Sequence, residues 1–279
     1  MPTSERRFSL QLCECRFELR CSDDDVAALI AGAFGALAAA HVSPGMAHRE
    51  YYISSTAGAA YRVSSQGGIL ECDGADAMLF HIDKSITIEL QYLRPDLLFV
   101  HGAALVRNGR VVVLSGPAGT GKSTLTLVAL QLGFEYFSDE LAPINVHRLS
   151  VYPYARALYM KTLPPPPHAL PANTIDYGGR YHVPMTMPTT ATPSGDAPLA
   201  ALIFLRRDTE TFTGLRSISA ASGATRLIAN ALNLLAHPAA GIEAAAALSQ
   251  AIDCFELDAT DLTAASEAIR ALADAAPTQ

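Results

Sequence analysis

One octapeptide constrains this chain more than any other feature. Residues 116–123 read Gly-Pro-Ala-Gly-Thr-Gly-Lys-Ser, which fits the pattern GxxxxGK[S/T] without a gap. An apolar, strand-like run, Arg110–Ser115, precedes it, and a helix is predicted from Lys122 to about Leu132, with Gly133 suited to end it. Glycines let backbone N–H groups turn inward around phosphate oxygens, and a helix N-terminus adds partial positive charge. The sequence therefore predicts a phosphate-binding loop in an α/β fold.

The loop assigns a role to each of its polar groups. Its backbone is predicted to hold the triphosphate of a nucleotide, Lys122 to reach the β- and γ-phosphates, and the Ser123 hydroxyl to bind Mg²⁺. ATP and Mg²⁺ are therefore the expected cofactors. The candidate nucleotide-binding residues are Gly116, Pro117, Ala118, Gly119, Thr120, Gly121, Lys122, Ser123 and Thr124.

Two acidic residues follow one predicted helix and one predicted strand later. Asp139 and Glu140 come directly after the strand-like run Phe134–Phe137. If that strand lies parallel to Arg110–Ser115 and next to it, both acids stand beside the phosphates. Asp139 is then expected to help hold Mg²⁺, and Glu140 to accept the proton of an attacking hydroxyl. A helix N-cap or a surface acid at a strand end is the alternative.

Three stretches together resemble a known family. They are His101-Gly-Ala-Ala-Leu, the loop with its Gly-Lys-Ser-Thr, and the run from Gly133 to Glu140. They are similar to HPr kinase/phosphorylase, and still more to the HPr kinase-related proteins found with peptide-modification gene clusters. Residues 151–161 and the strand ending in Arg206-Arg207-Asp208 also resemble those relatives, so the resemblance covers residues 97–210 well.

The resemblance implies a P-loop kinase core of the phosphoenolpyruvate-carboxykinase type and ATP-dependent phosphorylation of a serine hydroxyl. His101, Asp139 and Glu140 match residues that line the family's active site. His101 is thus expected to bond the γ-phosphate or to orient the acceptor, although a lone histidine at a strand end is more often structural. The second acid is usually aspartate in the family, so Glu140 departs from the pattern. The glycine-containing signature of the true HPr enzymes is not found, so reverse phosphorolysis and HPr itself as substrate are not expected.

Phosphoryl transfer also needs positive charge around the equatorial oxygens of the transferred group. The candidate cations are Arg156, Lys161, Arg206 and Arg207, each of which is equally well explained as a surface cation. Two further candidates for contact with the substrate, Arg180 and His182, lie in the Pro-rich stretch 162–198. That stretch is predicted to be a long loop over the site or, alternatively, a rigid linker.

Composition and charge exclude several classes of protein. The chain has 279 residues, 50% of them apolar, and a formal net charge of −7. An acidic chain lacks the basic patch of a nucleic-acid binder, and no apolar run reaches the roughly 18 residues that cross a membrane. No apolar segment typical of a secretory signal follows the basic N-terminus, and the five cysteines match no zinc or CxxC spacing. We therefore expect a cytoplasmic protein with reduced thiols and no nucleic-acid or membrane partner.

The pattern of apolar residues along the chain changes near residue 95, which indicates a domain boundary. Residues 1–95 predict a small α+β unit, with a hairpin over 6–20, a helix over Val26–Ala40 and strands over Tyr51–Leu70. The run Ser85–Leu93 fits a strand or a helix equally well. Residues 96–279 predict the P-loop kinase domain, with a buried strand Leu199–Leu205 and Ala-rich helices near 223–235, 239–252 and 261–275.

The sequence thus predicts an ATP- and Mg²⁺-dependent kinase for a hydroxyl on a peptide or protein, which the resemblance makes a serine hydroxyl. Two alternatives stay open: a small-molecule kinase acting on free serine or a nucleoside, and a non-catalytic ATP-binding switch in a modification complex. The presence of Lys122, Ser123, Asp139 and Glu140 together speaks against the switch, which has no physical need for a base. Family members include oligomers, so self-association into a homo-oligomer is a further expectation.

Overall fold

The chain forms two compact units of mixed α/β structure. The computed structural model describes residues 5–38, 48–186, 195–207, 213–237 and 241–275. The first unit comprises residues 1–94 together with 155–187, and the second comprises 95–154 together with 188–279. The sequence placed all of 96–279 in one domain, whereas the contacts of residues 155–187 group this segment with the first unit.

The first unit begins with a five-stranded sheet. In order across the sheet, its strands are β1 (Arg6–Leu12), β2 (Cys15–Cys21), β3 (His48–Ser55), β4 (Ala60–Ser65) and β5 (Gly68–Asp73). β1 and β2 form the predicted hairpin, β2 and β3 run parallel, and the remaining pairs are antiparallel. The predicted helix over 26–40 is shorter: α1 (Asp24–Phe34) ends at Phe34, and Ala40 lies outside the described residues.

A long helix, α2 (Ala75–Leu93), settles the ambiguity in the sequence. It contains all of the run 85–93, which fitted a strand or a helix equally well. Met78, Ile82, Ile86 and Leu90 are buried and recur every fourth residue, so they lie on one face of the helix. The apparent strand-like alternation over 86–90 therefore arises in a helix. Five residues are too few to distinguish the two periods.

The second unit begins with a β-hairpin. β6 (Leu98–Arg107) and β7 (Arg110–Ser115) pair in antiparallel orientation around Asn108-Gly109, which both have positive φ. α3 (Lys122–Gln131) follows the glycine-rich loop and stops before Gly133, whose φ of 84° suits the end of a helix. Three strands follow: β8 (Glu135–Ser138), β9 (Leu141–Asn145) and β10 (Ser150–Val151).

The Pro-rich stretch contains sheet as well as loop. The first unit gains a small antiparallel sheet, in the order β11-β13-β12, from the strands β11 (Leu158–Met160), β12 (Ile175–Asp176) and β13 (Tyr181–Val183). The predicted loop or linker over 162–198 is thus wrong for 175–176 and 181–183, and also for 197–198, which begin a strand of the second unit. Residues 187–194 of that stretch lie outside the described residues.

The rest of the chain completes the second unit. Its elements are β14 (Ala197–Arg206), β15 (Leu215–Ser217), α4 (Ala220–Asn230), α5 (Ile242–Ala251), β16 (Asp253–Asp258) and α6 (Leu262–Asp274). The predicted strand Leu199–Leu205 and the three Ala-rich helices are present with shifted ends. The helix predicted near 223–235 stops at Asn230, and a separate single turn follows at Leu234–Ala236.

The sheet of the second unit mixes parallel and antiparallel strands. Its order is β10-β9-β6-β7-β14-β16-β15, and β8 also pairs with β6. β7, β14 and β16 are parallel, whereas β6 is antiparallel to β7, β8 and β9. The strand before Asp139 is therefore not the neighbour of β7, as the sequence argument assumed, because β6 lies between them. The core fills both faces of this sheet.

One face of the sheet packs against α4 and α5, and the other packs against α3 and α6. Val113, Phe204 and Leu227 belong to the first cluster, and Leu114, Leu125 and Ile269 belong to the second. The five cysteines are free and buried, as predicted, and burial raises the pKa of the Cys21 thiol to about 12. Within the described ranges, no helix has both the length and the apolar character needed to cross a membrane.

Candidate active site

The glycine-rich loop joins the carboxyl end of β7 to the N-terminus of α3. Gly119 and Gly121 have φ of 83° and 93°, a left-handed region that side chains disfavour. Gly116 is needed for a different reason, because a Cβ there would lie 2.9 Å from the Leu205 carbonyl oxygen of β14. The Thr120 hydroxyl donates to the Pro117 carbonyl at 2.9 Å and closes the turn. This backbone has the alternation that forms a nest for anions at a helix N-terminus.

The lysine of the motif is directed back over the loop. Lys122 is 7% exposed, and its ammonium donates to the carbonyls of Gly116 at 2.7 Å and Pro117 at 3.2 Å. Ser123 and Thr124, which follow it in the first turn of α3, are partly exposed. A buried ammonium at the mouth of a nest of N–H groups is suited to oxygen anions such as phosphates.

His101 and Gly102 lie on β6, immediately beside the start of the loop. Gly102 is the cross-strand partner of Ser115, and the Ser115 hydroxyl donates to the His101 carbonyl at 2.9 Å. A Cβ on Gly102 would lie 2.7 Å from the Leu114 carbonyl oxygen, so only glycine allows this approach of the two strands. The structure therefore brings His101 next to the loop through strand pairing, which the sequence did not specify.

Asp139 and Glu140 stand on the other side of β6. They connect β8 to β9 and face Gly102, whose N–H donates to the Glu140 carbonyl at 3.1 Å. Two strand spacings, about 10 Å, thus separate the backbone of Glu140 from Ser115. The acids do reach the neighbourhood of the loop, but across an antiparallel strand and not from an adjacent parallel one.

The two acids have different environments. Asp139 is 1% exposed and accepts a hydrogen bond from the Tyr136 hydroxyl at 2.7 Å. Glu140 has a half-exposed side chain, and its Oε1 lies 3.4 Å from Nδ1 of His101. A buried, hydrogen-bonded carboxylate suits a metal ligand, whereas a half-exposed one beside an imidazole suits proton transfer.

The charged groups around the His101 ring affect its pKa. Burial lowers the pKa of His101, the Glu140 carboxylate opposes that shift, and the Lys122 ammonium adds to it, so that the net pKa lies below its usual value. The imidazole is therefore neutral at pH 7 and has one nitrogen able to accept a hydrogen bond.

His101 is expected to titrate below the ordinary histidine pKa of about 6.5. Histidine ring NMR signals followed against pH measure this midpoint, and His101→Asn identifies the signal. Since the unfolded chain binds the proton more tightly, His101 makes folding less favourable as pH falls through the window below 6.5. A midpoint above 6.5 would mean that Glu140 dominates over burial and Lys122.

Gly102→Ala is expected to lower the free energy of unfolding by roughly 1–3 kcal/mol, because the new methyl group must push β6 away from Leu114. The shift also moves His101 relative to the loop. Denaturant unfolding measures the loss. Gly35→Ala is the matched control, since Gly35 has a helical φ of −57° and no atom lies within 4 Å of the position that its new methyl group would take. Equal stability of both variants would contradict the close approach.

Two of the four candidate cations lie at the same edge of the sheet as the loop. Phe204 pairs with Ser115, and Arg206 and Arg207 follow two and three residues later at the carboxyl end of β14. Arg207 is exposed. Arg206 lies 3.5 Å from Glu256, a buried carboxylate on β16 that also binds Arg216 and Arg226.

The other two candidate cations belong to the first unit. Arg156 Nε lies 3.1 Å from Asp83 of α2, and Lys161 is exposed. His182, from the Pro-rich stretch, lies 3.1 Å from Asp76 of the same helix. Arg180 donates to the Tyr159 hydroxyl at 3.0 Å. The described partners of these residues are therefore within the first unit.

Tyr136 and Glu256 were not predicted as site residues, and Gly102 was named beside His101 without the packing role that the structure gives it. Tyr136 lies three residues before Asp139 in the same predicted strand, so an aromatic hydroxyl near the acid was visible, whereas the Glu256 cluster joins four distant segments. A group of side chains able to ligate a metal, Glu18, His48 and Glu50, also occurs in the first unit. However, Arg16 and Arg20 bind both carboxylate oxygens of Glu18, at 2.8 and 3.0 Å. That pairing opposes a metal site.

Known families, curated proteins and solved structures were compared with this chain. Scans against protein-family models and against curated proteins find no match. The chain is similar in structure to the Hpr(Ser) kinase/phosphatase from Coxiella burnetii, with a TM-score of 0.32 and 14% identity, over 62% of this chain and 94% of that one. A likeness of this size does not indicate a function.

Proposed function

We propose that this chain is a kinase that uses ATP and Mg²⁺ to phosphorylate a hydroxyl group, that of a serine, on a peptide or protein. One observation carries the proposal: a glycine-rich loop with a buried lysine lies beside a histidine–carboxylate pair and a second, buried carboxylate. A phosphate-binding nest alone would suit any nucleotide binder. A base at the same site is needed only when a hydroxyl must lose its proton.

The residues present fit both cofactors. The positive-φ glycines and the α3 N-terminus offer N–H groups to the triphosphate, with Lys122 at the mouth of the loop. Ser123 and Asp139 offer a hydroxyl and a carboxylate, the oxygen ligands that Mg²⁺ prefers. When bound, Mg²⁺ supplies charge neutralisation at the phosphate oxygens.

Each side chain of the site has a separate role in the proposed phosphoryl transfer. Glu140 accepts the proton of the acceptor hydroxyl as its oxygen attacks the γ-phosphorus in line with the departing ADP oxygen. The new O–P bond forms as the bond between the γ-phosphorus and the bridging oxygen breaks. Lys122 neutralises charge on the phosphates. His101, neutral at pH 7, holds the Glu140 carboxylate in place through the contact at 3.4 Å.

Arg206 and Arg207 are proposed to add positive charge near the transferred group. They follow the strand residue whose carbonyl touches Gly116, so they stand at the edge where the phosphates would lie. Arg156 and Lys161 belong to the first unit.

Mass spectrometry of candidate acceptors after incubation with ATP and Mg²⁺ tests the proposal. The acceptors are the peptides encoded beside the gene, free serine and HPr. We expect one phosphate on a peptide serine, lost with Lys122→Ala and kept with Lys84→Ala, an exposed lysine of α2. If only free serine were phosphorylated, the acceptor would be a small molecule and not a peptide or protein. ATP binding with no transfer or hydrolysis would contradict the kinase and favour a nucleotide switch.

A further inference from the structure

A cavity opens at the end of the second-unit sheet that lies opposite the glycine-rich loop. Its volume is about 350 Å³, and its walls come from the starts of β7, β14 and β16 and the ends of α5 and α6. This volume falls in the range of roughly 300–1,000 Å³ typical of small-molecule sites. β7 runs from Arg110 at the cavity to Ser115 at the loop, so about 17 Å separates the two ends.

Apolar side chains form slightly less than half of the accessible wall of the cavity. Val112, Leu199, Phe255 and Leu272 contribute to it, and four of the eleven lining residues are alanines. Short side chains leave space where two helices end above the first residues of three strands. The apolar part of the wall offers a surface for an apolar group of the size of a leucyl or benzyl group.

Two charged groups of opposite sign line the same cavity. Arg110 and Asp253 both contribute to its wall. Among the residues described, neither side chain has a hydrogen bond or an ion pair. Asp253 is exposed. Asp274, an acid at the end of α6, is already engaged, because Arg107, the cross-strand partner of Arg110, holds both of its oxygens at 2.5 and 2.9 Å. Arg110 is half-buried. No internal partner among the described residues offsets the free energy cost of desolvating its guanidinium group.

We infer that this cavity binds a small zwitterion with an apolar side chain, of the chemical class of leucine or phenylalanine. The ligand carboxylate pairs with the Arg110 guanidinium, whose planar fork matches a carboxylate, and its ammonium pairs with Asp253. The apolar side chain lies against Phe255 and Leu272. The site shares no residue with the proposed kinase site, so it goes beyond that function and can be tested without ATP.

Isothermal titration of the full chain with L-phenylalanine and L-leucine tests the inference. Two analogues each remove one charge: 3-phenylpropionate lacks the ammonium, and phenethylamine lacks the carboxylate. We expect an amino acid to bind at least roughly tenfold more tightly than either analogue, as lost charge-assisted hydrogen bonds predict. No binding of either amino acid up to about 10 mM would overturn the inference.

Variants of the chain locate the ligand. Arg110→Gln is expected to weaken phenylalanine and phenylpropionate by roughly tenfold and to leave phenethylamine unchanged, and Asp253→Asn is expected to do the reverse. Ala251→Phe, at an exposed wall position, fills the cavity and should abolish binding of all three. Arg270→Gln, an exposed arginine of α6, is the control. Circular dichroism confirms folding. Binding that is unchanged in Arg110→Gln or in Ala251→Phe would overturn the inference.

Discussion

Glu140→Gln is expected to slow phosphoryl transfer by roughly 10²–10⁴-fold while ATP binds with unchanged affinity, because glutamine keeps the size of the side chain and loses the proton acceptor. Glu140 is half-exposed and lies 3.4 Å from His101, whereas the proposed contacts to the nucleotide come from the loop and Lys122. Single-turnover transfer and equilibrium binding of ATP separate the two effects.

Glu243→Gln serves as the matched control for that variant. Glu243 is an exposed glutamate in the first turn of α5, so its replacement should leave both transfer and binding unchanged. If Glu140→Gln transferred phosphate at nearly the wild-type rate, Glu140 would not be the base. If ATP affinity fell with it, the carboxylate would act on the nucleotide or its metal instead of on the acceptor.

Glu256→Gln is expected to lower the free energy of unfolding by about 2–3 kcal/mol. Glu256 is 1% exposed and binds Arg216 at 2.6 Å and Arg226 at 2.5 Å, so the variant leaves guanidinium groups around a site with no charge. Breaking a buried ion pair by removing one partner costs about 3–5 kcal/mol. We expect a smaller cost here because both arginines are partly exposed. Urea unfolding of the variant against wild type measures the loss.

The pH dependence of that loss identifies the charge as its cause. Burial acts to raise the pKa of Glu256, but the arginines outweigh burial and hold the pKa below its usual value. The carboxylate therefore contributes stability above the unfolded pKa of about 4.3, and this contribution disappears as pH falls through the folded value. The difference in the free energy of unfolding between wild type and Glu256→Gln should therefore become smaller at acidic pH. Glu267→Gln, in an exposed pair with Arg270, should show a negligible gap at every pH.

Local features of the chain were predictable because neighbouring residues decide them. The hairpin β1–β2, the loop at 116–124 and the start of α3 follow from alternation, from glycines at positive φ and from a helix start. The same kind of reasoning failed over 85–93, where a short window fitted two periods, and over 162–198, where prolines and glycines hid the strands β12 and β13.

The position of the acids shows the limit of that reasoning. Asp139 and Glu140 were expected beside the phosphates because the strand before them was placed parallel to β7 and next to it. β7 instead lies between β14, which is parallel to it, and β6, which is antiparallel and places His101 and Gly102 between the acids and the loop. Strand order depends on which apolar faces pack together over long sequence separations, and alternation along one strand does not encode it.

The residues of 116–124 were enough to predict the glycine-rich loop before α3, since they contain the glycines that its positive-φ backbone needs. The sequence also determined that acids and a histidine exist near that loop along the chain. The tertiary structure alone decided that His101 lies between Glu140 and Lys122, that 155–187 belongs with the first unit, and that Arg206, Arg216 and Arg226 surround Glu256. These juxtapositions join segments tens of residues apart, and only the packing of the sheets and helices brings them into contact.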